Sequence, residues 1–178
     1  STPALSADGQ RLYVSDNEGH VIALDSELAE VWRVDVGEPL VGSITVAADN
    51  NELYAVTAKD VIQIIDKGDH GTRTWTAELT GFDGYATVDE QSNALTATVT
   101  ANGVVIMIGG GKSLLGRTLM LHMGMGLLDR ETGKLRYFAE GREDSLAMSV
   151  VAADGSIYVA HSPLRRSWPV NPLDLRQS

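Results

Sequence analysis

Two short segments carry the residue types from which binding and redox chemistry are commonly built. Gly109-Gly110-Gly111-Lys112-Ser113 has the glycines, lysine and hydroxyl of a phosphate-binding loop. That loop needs a glycine five residues before Gly111, where Ile106 stands, and a helix afterwards. The segment reads instead as a flexible hairpin tip, at which Lys112 and Arg117 can still meet an anion. Met120-Leu121-His122-Met123-Gly124-Met125 gathers thioethers and an imidazole, donors that suit Cu(I). On a strand, Met120 and His122 face one side and Met123 and Met125 the other, so the set cannot close on one ion. Methionine as core filler is the simpler reading. His20, His70 and His161 are scattered without ligand spacing, and nothing resembles a nucleophile elbow or a pair of catalytic carboxylates. The chain has no cysteine, which excludes disulfides, zinc ribbons and thiol nucleophiles.

The elements that must hold these residues are strands. The chain has 178 residues, 43% of them hydrophobic, enough for one globular core, and its formal net charge of -10 without a basic tract argues against nucleic acid or an anionic membrane as partner. Gln91 to Gly111 holds no charged residue, yet Thr96, Thr98, Thr100 and the hairpin signal Asn102-Gly103 make it two strands and a turn rather than a membrane span. No basic segment followed by an apolar one opens the chain, so it reads as a mature or trimmed product.

Self-similarity organises the rest. Tyr13 recurs as Tyr54 and Asp25 as Asp66, each after 41 positions, and Trp32 as Trp75 after 43. Tyr54 leads to Ile106 and Ile106 to Tyr158, each a step of 52, while Asp129 and Tyr137 take the places of Asp66 and Trp75. Each unit holds four strand candidates, A to D. Strand A is 2–5, 43–47, 96–100 and 148–152; B carries Tyr13, Tyr54, Ile106 and Tyr158; C ends at Asp25, Asp66 and Asp129; D carries Trp32, Trp75 and Tyr137. Four antiparallel strands per unit of this length is the period of an all-β propeller blade. The expected blades are 1–36, 37–80, 96–142 after an inserted loop 81–95, and an incomplete 143–178: about three and a half, a fragment of a larger propeller with an open edge for missing blades or another chain to cover. Trp32, Trp75 and Tyr137 are expected to dock blade on blade, Asp25, Asp66 and Asp129 to cap their own turns, and Asp8, Asp49 and Asp154-Gly155 to mark the A-to-B turns.

The wording of these blades resembles the pyrroloquinoline-quinone (PQQ) type repeats of quinoprotein dehydrogenases and periplasmic propeller lipoproteins. The likeness lies in Leu128-Asp129-Arg130-Glu131-Thr132-Gly133, closed by the aromatic Tyr137, and in the A-to-C segment from Ala4 to Asp25. The resemblance implies a periplasmic or extracellular protein. For the enzymes it also implies PQQ in the central channel, Ca2+ held by Glu and Asn or Asp, and in alcohol dehydrogenases a vicinal cysteine pair, which this chain lacks. Since such repeats specify fold better than activity, the expectation is a non-enzymatic binding scaffold with no cofactor and no metal; the alternative is part of a quinoprotein dehydrogenase.

Loop arithmetic locates the expected site. Trp32 to Ser43 and Tyr137 to Met148 span 11 positions, but Trp75 to Thr96 spans 21; Tyr13 to Asp25 and Tyr54 to Asp66 span 12, but Ile106 to Asp129 spans 23. The two insertions, within Gly81 to Asn93 and within Gly109 to Thr118, fall on the face where D-to-A and B-to-C connections emerge, as does the segment from Ser162. They bring Tyr85, Lys112, Arg117, Arg165, Arg166 and Trp168 there, which favours a protein, a peptide or a small anionic or aromatic ligand.

Overall fold

The computed structural model describes residues 2–48, 51–79, 96–114, 117–141 and 149–158. Among these residues fourteen strands follow one another as meanders. The first sheet is β1 (Ala4–Leu5), β2 (Leu12–Ser15), β3 (His20–Leu24) and β4 (Glu30–Asp35). The second is β5 (Thr45–Val46), β6 (Glu52–Val56), β7 (Asp60–Asp66) and β8 (Gly71–Glu78). The third is β9 (Thr98–Thr100), β10 (Gly103–Leu114), β11 (Arg117–Leu128) and β12 (Leu135–Gly141), and β13 (Val150–Val151) pairs with β14 (Ile157–Tyr158) in a fourth. Every pairing is antiparallel between consecutive strands. The sheets are blades of a β-propeller, three complete and one with its two inner strands described.

A flat four-stranded sheet with apolar residues on both faces has to be covered on both. Strand β6 shows this directly, since all five residues of Glu-Leu-Tyr-Ala-Val are buried. Leu53 and Ala55 join Ile62 and Ile64 in a layer against Tyr13, Val21, Ala23 and Trp32 of the first blade. Tyr54 and Val56 point the other way, into a layer with Val104, Ile106 and Leu128 of the third. The period of two along each strand sorts the side chains between these layers. The innermost strands are stitched together by hydroxyls: Thr45 Oγ1 donates to the Ala97 carbonyl at 2.7 Å, and Thr98 Oγ1 to the Ser149 carbonyl at 3.1 Å.

The outer strands are tied by tryptophan. Trp32 is 5% exposed and tilts on Tyr13 with 5.9 Å between ring centroids. Its indole Nε1 donates to Asp66 Oδ1 at 3.1 Å, in the C-to-D turn of the next blade, while Tyr13 donates to Asp66 Oδ2 at 2.6 Å. One blade on, Trp75 tilts on Tyr54 with 5.9 Å between ring centroids and donates at 2.8 Å to the carbonyl of Arg130, again in the next blade's C-to-D turn. Close approach is possible because the receiving turns have no Cβ. One built on Gly71 would stand 2.9 Å from Trp32 Cζ3, and one on Gly133 2.6 Å from Trp75 Cε3. Asp25 and Asp129 accept backbone N–H groups of their own turns, whereas Asp66 caps Gly68 and also receives the two groups from the preceding blade.

Three expectations need correction. The strand-B residue equivalent to Tyr54 is Val105, because Thr45↔Tyr54↔Gln63↔Trp75 corresponds to Thr98↔Val105↔Leu127↔Tyr137. Ile106 lies one residue on, and a shift of one reverses the face, so it packs back against the second blade. Gly109-Gly110-Gly111 is no hairpin tip, and the extra residues there are no loop: they lengthen β10 and β11 into 12-residue strands, and the three glycines pair with Met123, His122 and Leu121. Tyr137 occupies the docking position but is 57% exposed, and among the described residues no turn of the fourth blade receives it as turns receive Trp32 and Trp75 in the other junctions. The blade boundary at 80 and the connection 81–95 lie outside the described residues.

Replacing Trp32 by Ala is expected to cost about 3–5 kcal/mol by removing a buried aromatic and leaving a cavity between blades. Tyr137→Ala is expected to cost less than about 1 kcal/mol, the ordinary surface result. Urea unfolding of the two variants side by side measures the difference.

Candidate functional site

The B-to-C loops and D-to-A connections emerge together, and the backbone ties them. Val36 N–H donates to the Gly19 carbonyl, Val41 N–H to Val56 and Leu79 N–H to Lys59. From this face rises a ribbon. The last pair joining β11 to β12 is Met123↔Gly141; beyond it, from Gly110↔His122 to Leu114↔Arg117, β10 and β11 pair with each other and no third strand joins them among the described residues. At about 3.3 Å per residue the ribbon extends some 15 Å past its last described pair with β12. A register shift between Lys112 and Ser113 bends it. Lys112 and Arg117 both lie on its outer part, Lys112 opposite Met120 and Arg117 opposite Leu114. Tyr85, Arg165, Arg166 and Trp168 lie outside the described residues, so the structure brings two of the six expected positions onto one element.

The described base of this face is acidic. Lys59 pairs with Glu38. Arg33 reaches Glu30 at 2.9 Å and Asp16 at 3.6 Å. Asp60 stands opposite Glu78 across β7 and β8, and its burial, with Glu78 and Glu38 nearby, pushes its carboxyl above the ordinary range. Asp16 and Glu18, which the sequence reading did not single out, and His20, read there as one of three scattered histidines, present ligand atoms within 4.8 Å of one another. Asp16 is already engaged by the His20 ring at 2.8 Å and by the backbone N–H groups of Glu18 and His20.

A second concavity, about 580 Å³, runs along the inner strands and is lined by residues 45–48 and 96–101 with Arg130 and Ser149. These inner strands border the central channel, where the resemblance to quinoproteins implies a cofactor. The described lining is alanine, valine, threonine and serine with one arginine, and offers Ca2+ no carboxylate, so these residues do not fit a quinone-calcium site. Arg130 is committed to packing the blades. Its Nε and Nη2 hold Glu52 Oε2 at 3.0 and 2.9 Å, and Nη1 reaches the Thr100 carbonyl at 3.2 Å. Tyr54 donates to the same carboxylate, and Gln63 Nε2 bridges the Tyr54 hydroxyl and the Arg130 carbonyl at 3.0 and 2.9 Å. Burial and the adjoining Glu52 push the Tyr54 hydroxyl up to about 12. Sequence reading passed over this pair, Arg130 being one of the variable positions in its Asp-x-x-Thr-Gly turn. The signal was Glu52, a lone carboxylate at the head of a wholly buried strand.

Stacked meander blades, tryptophans docked on the turns of their neighbours and an axial groove define a β-propeller of PQQ-type repeats. The chain belongs to the family described as outer membrane protein assembly factor BamB, which matches residues 1–163. Among solved structures it is similar to BamB from Moraxella catarrhalis, with 13% identity and a TM-score of 0.46, covering 90% of this chain and 54% of that one. It is also similar to the WD40 domain of SCAP from fission yeast, with 6% identity and a TM-score of 0.45, covering 92% of this chain and 40% of that one. The chain thus spans about half the length of the first and less of the second. No curated protein matches it.

Two variants test these charges. Arg130→Met leaves Glu52 buried without its cation, and stability measured by urea unfolding is expected to fall by about 3–5 kcal/mol. For Asp60 the folded carboxyl titrates above its unfolded value, so ionising it opposes folding. Asp60→Asn is therefore expected to be more stable than the parent at neutral pH, with the difference vanishing as pH falls through the raised Asp60 value. Thermal melts from pH 4 to 8 measure it.

Proposed function

We propose that the chain is a non-enzymatic propeller scaffold that works in outer membrane protein assembly, on the periplasmic side, and engages a protein partner through its D-to-A and B-to-C loop face. The observation that carries this is the β10–β11 ribbon, which lengthens one B-to-C hairpin out of the blade while the other two described stay short. The family match supports the pathway. A two-stranded ribbon beyond the last described pair with β12 leaves backbone edges that a partner strand can pair with. Lys112 and Arg117 on it, with Arg165, Arg166, Tyr85 and Trp168 from segments expected on the same face, make a cationic and aromatic surface on an acidic protein, suited to an acidic patch of that partner.

The test is binding to the purified outer-membrane assembly machinery across a salt titration. Reversing Arg165 and Arg166 to Glu, and separately Lys112 and Arg117, is expected to lower affinity about tenfold or more and to flatten its salt dependence. Asp8→Lys on the opposite face serves as control. Unchanged affinity and salt dependence in both double variants would move the site elsewhere.

A further inference from the structure

Three of the A-to-B turns place an acidic residue or its amide directly before glycine: Asp8-Gly9, Asn102-Gly103 and Asp154-Gly155. Two of these side chains cap their turns. Asp8 Oδ1 accepts from Ser6 Oγ at 2.6 Å and from the Gln10 N–H at 3.0 Å, and Asp154 Oδ1 accepts from the Ser156 N–H at 2.9 Å. Gly9 and Gly155 are left-handed, with φ 72° and 85°. Asn102 departs on both counts. Its side chain is exposed and makes no hydrogen bond to a described residue, and none of Ala101, Asn102 and Gly103 has a positive φ. The two-residue turn between Thr100 and Gly103 therefore has neither of the primed geometries whose twist matches the strands it joins.

Backbone groups hold this turn instead. The Asn102 N–H donates to Thr100 Oγ1 at 3.1 Å, Arg136 Nη1 donates to the Asn102 carbonyl at 2.7 Å, and Arg130 Nη1 donates to the Thr100 carbonyl at 3.2 Å. Gly103 is buried, and a Cβ there would stand 2.6 Å from the Leu128 carbonyl oxygen, so the residue after Asn102 has to be glycine. A free carboxamide thus precedes a backbone nitrogen that carries no side chain to screen it, with a guanidinium on the carbonyl between them.

We propose that Asn102 is a site of spontaneous covalent modification and that Arg136 directs it to the isoaspartyl product. The Gly103 nitrogen loses its proton and bonds to Asn102 Cγ, the Cγ–Nδ2 bond breaks, and ammonia leaves with that proton, closing a cyclic imide. Water then opens the imide, its hydroxyl going to one carbonyl carbon and its hydrogen to the Gly103 nitrogen. Opening at Cγ gives aspartate. Opening at the main-chain carbonyl gives isoaspartate, with the chain running through Cγ and the former carbonyl left as a carboxylate. That carbonyl is the one Arg136 holds. A guanidinium there draws electron density from the carbon that water attacks and pairs with the carboxylate that forms. Isoaspartate lengthens the main chain of a two-residue turn, and so displaces the Thr100 carbonyl through which Arg130, bound to Glu52 of the second blade, grips the third.

Ageing the full chain in neutral buffer at physiological temperature and mapping its peptides by mass tests this. The expected result is a gain of one mass unit at Asn102 and none at the exposed Asn17, with isoaspartate the larger product and a lower unfolding midpoint in the aged protein than in the fresh. Asn102→Gln, aged alongside, should keep its midpoint. Arg136→Gln should lower the isoaspartyl share at residue 102. Absence of the mass gain at Asn102, an isoaspartyl share that Arg136→Gln leaves unchanged, or an unchanged midpoint once Asn102 is converted would overturn the inference.

Discussion

The indole of a strand-D tryptophan laid on the turn of the next blade is the contact on which the rest of this structure depends. A meander sheet of about 40 residues cannot cover its own two faces, so each blade is stable only as far as its neighbours are fixed to it. Inner-strand hydroxyl bridges set the spacing near the axis. At the periphery, where sheets twist apart, Trp32 and Trp75 close the wedge with a ring against a glycine and an indole N–H on an acceptor. The acceptor differs, a carboxylate in one case and a backbone carbonyl in the other, while the glycine under the ring is shared. Steric access is the constant requirement and hydrogen bonding is satisfied by whatever the turn supplies.

That division explains where charge can be buried. Asp66 serves as turn cap and as acceptor for Tyr13 and Trp32, and needs no cation because it receives three donors. Glu52 has Tyr54 and Arg130, the arginine coming from the turn that receives Trp75. In both junctions a carboxylate buried between blades is fed from the opposite sheet, so polar satisfaction and blade order are coupled. A blade displaced from its neighbour would strand these groups as well as expose apolar area. Among the described residues the loop face holds no carboxylate fed across a junction in this way, which leaves its connections able to lengthen, as β10 and β11 do.

The strands and their order were legible because anchors of unlike chemistry, Tyr, Asp and Trp, recurred together at nearly equal spacing. Where the anchor was a mere aliphatic the reading slipped: Val105 and Ile106 are interchangeable in composition, and only the pairing to Thr98 shows which faces the fourth blade. The extra residues of the third blade were assigned to a loop, since three successive glycines suggest a turn; in the structure the described ones sit in a ladder, two-stranded from Gly110 onward. Gly71 and Gly133 went unnoticed as a pair because their spacing runs backward from strand D, across a turn of variable length. Arg130 and Glu52, 78 residues apart, carry no local signal of being a pair.

Hydrogen exchange at the tryptophan indoles tests the docking of blade on blade most directly. With 15N-labelled tryptophan, the Nε1–H groups of Trp32 and Trp75, assigned by single substitution, should exchange as slowly as the backbone amides of β6 and β7, opening only with the blades themselves. Indoles that exchange at the rate of a solvent-exposed side chain while the β6 and β7 amides stay protected would contradict the account: the sheets would then be held without the contact from which the rest is argued.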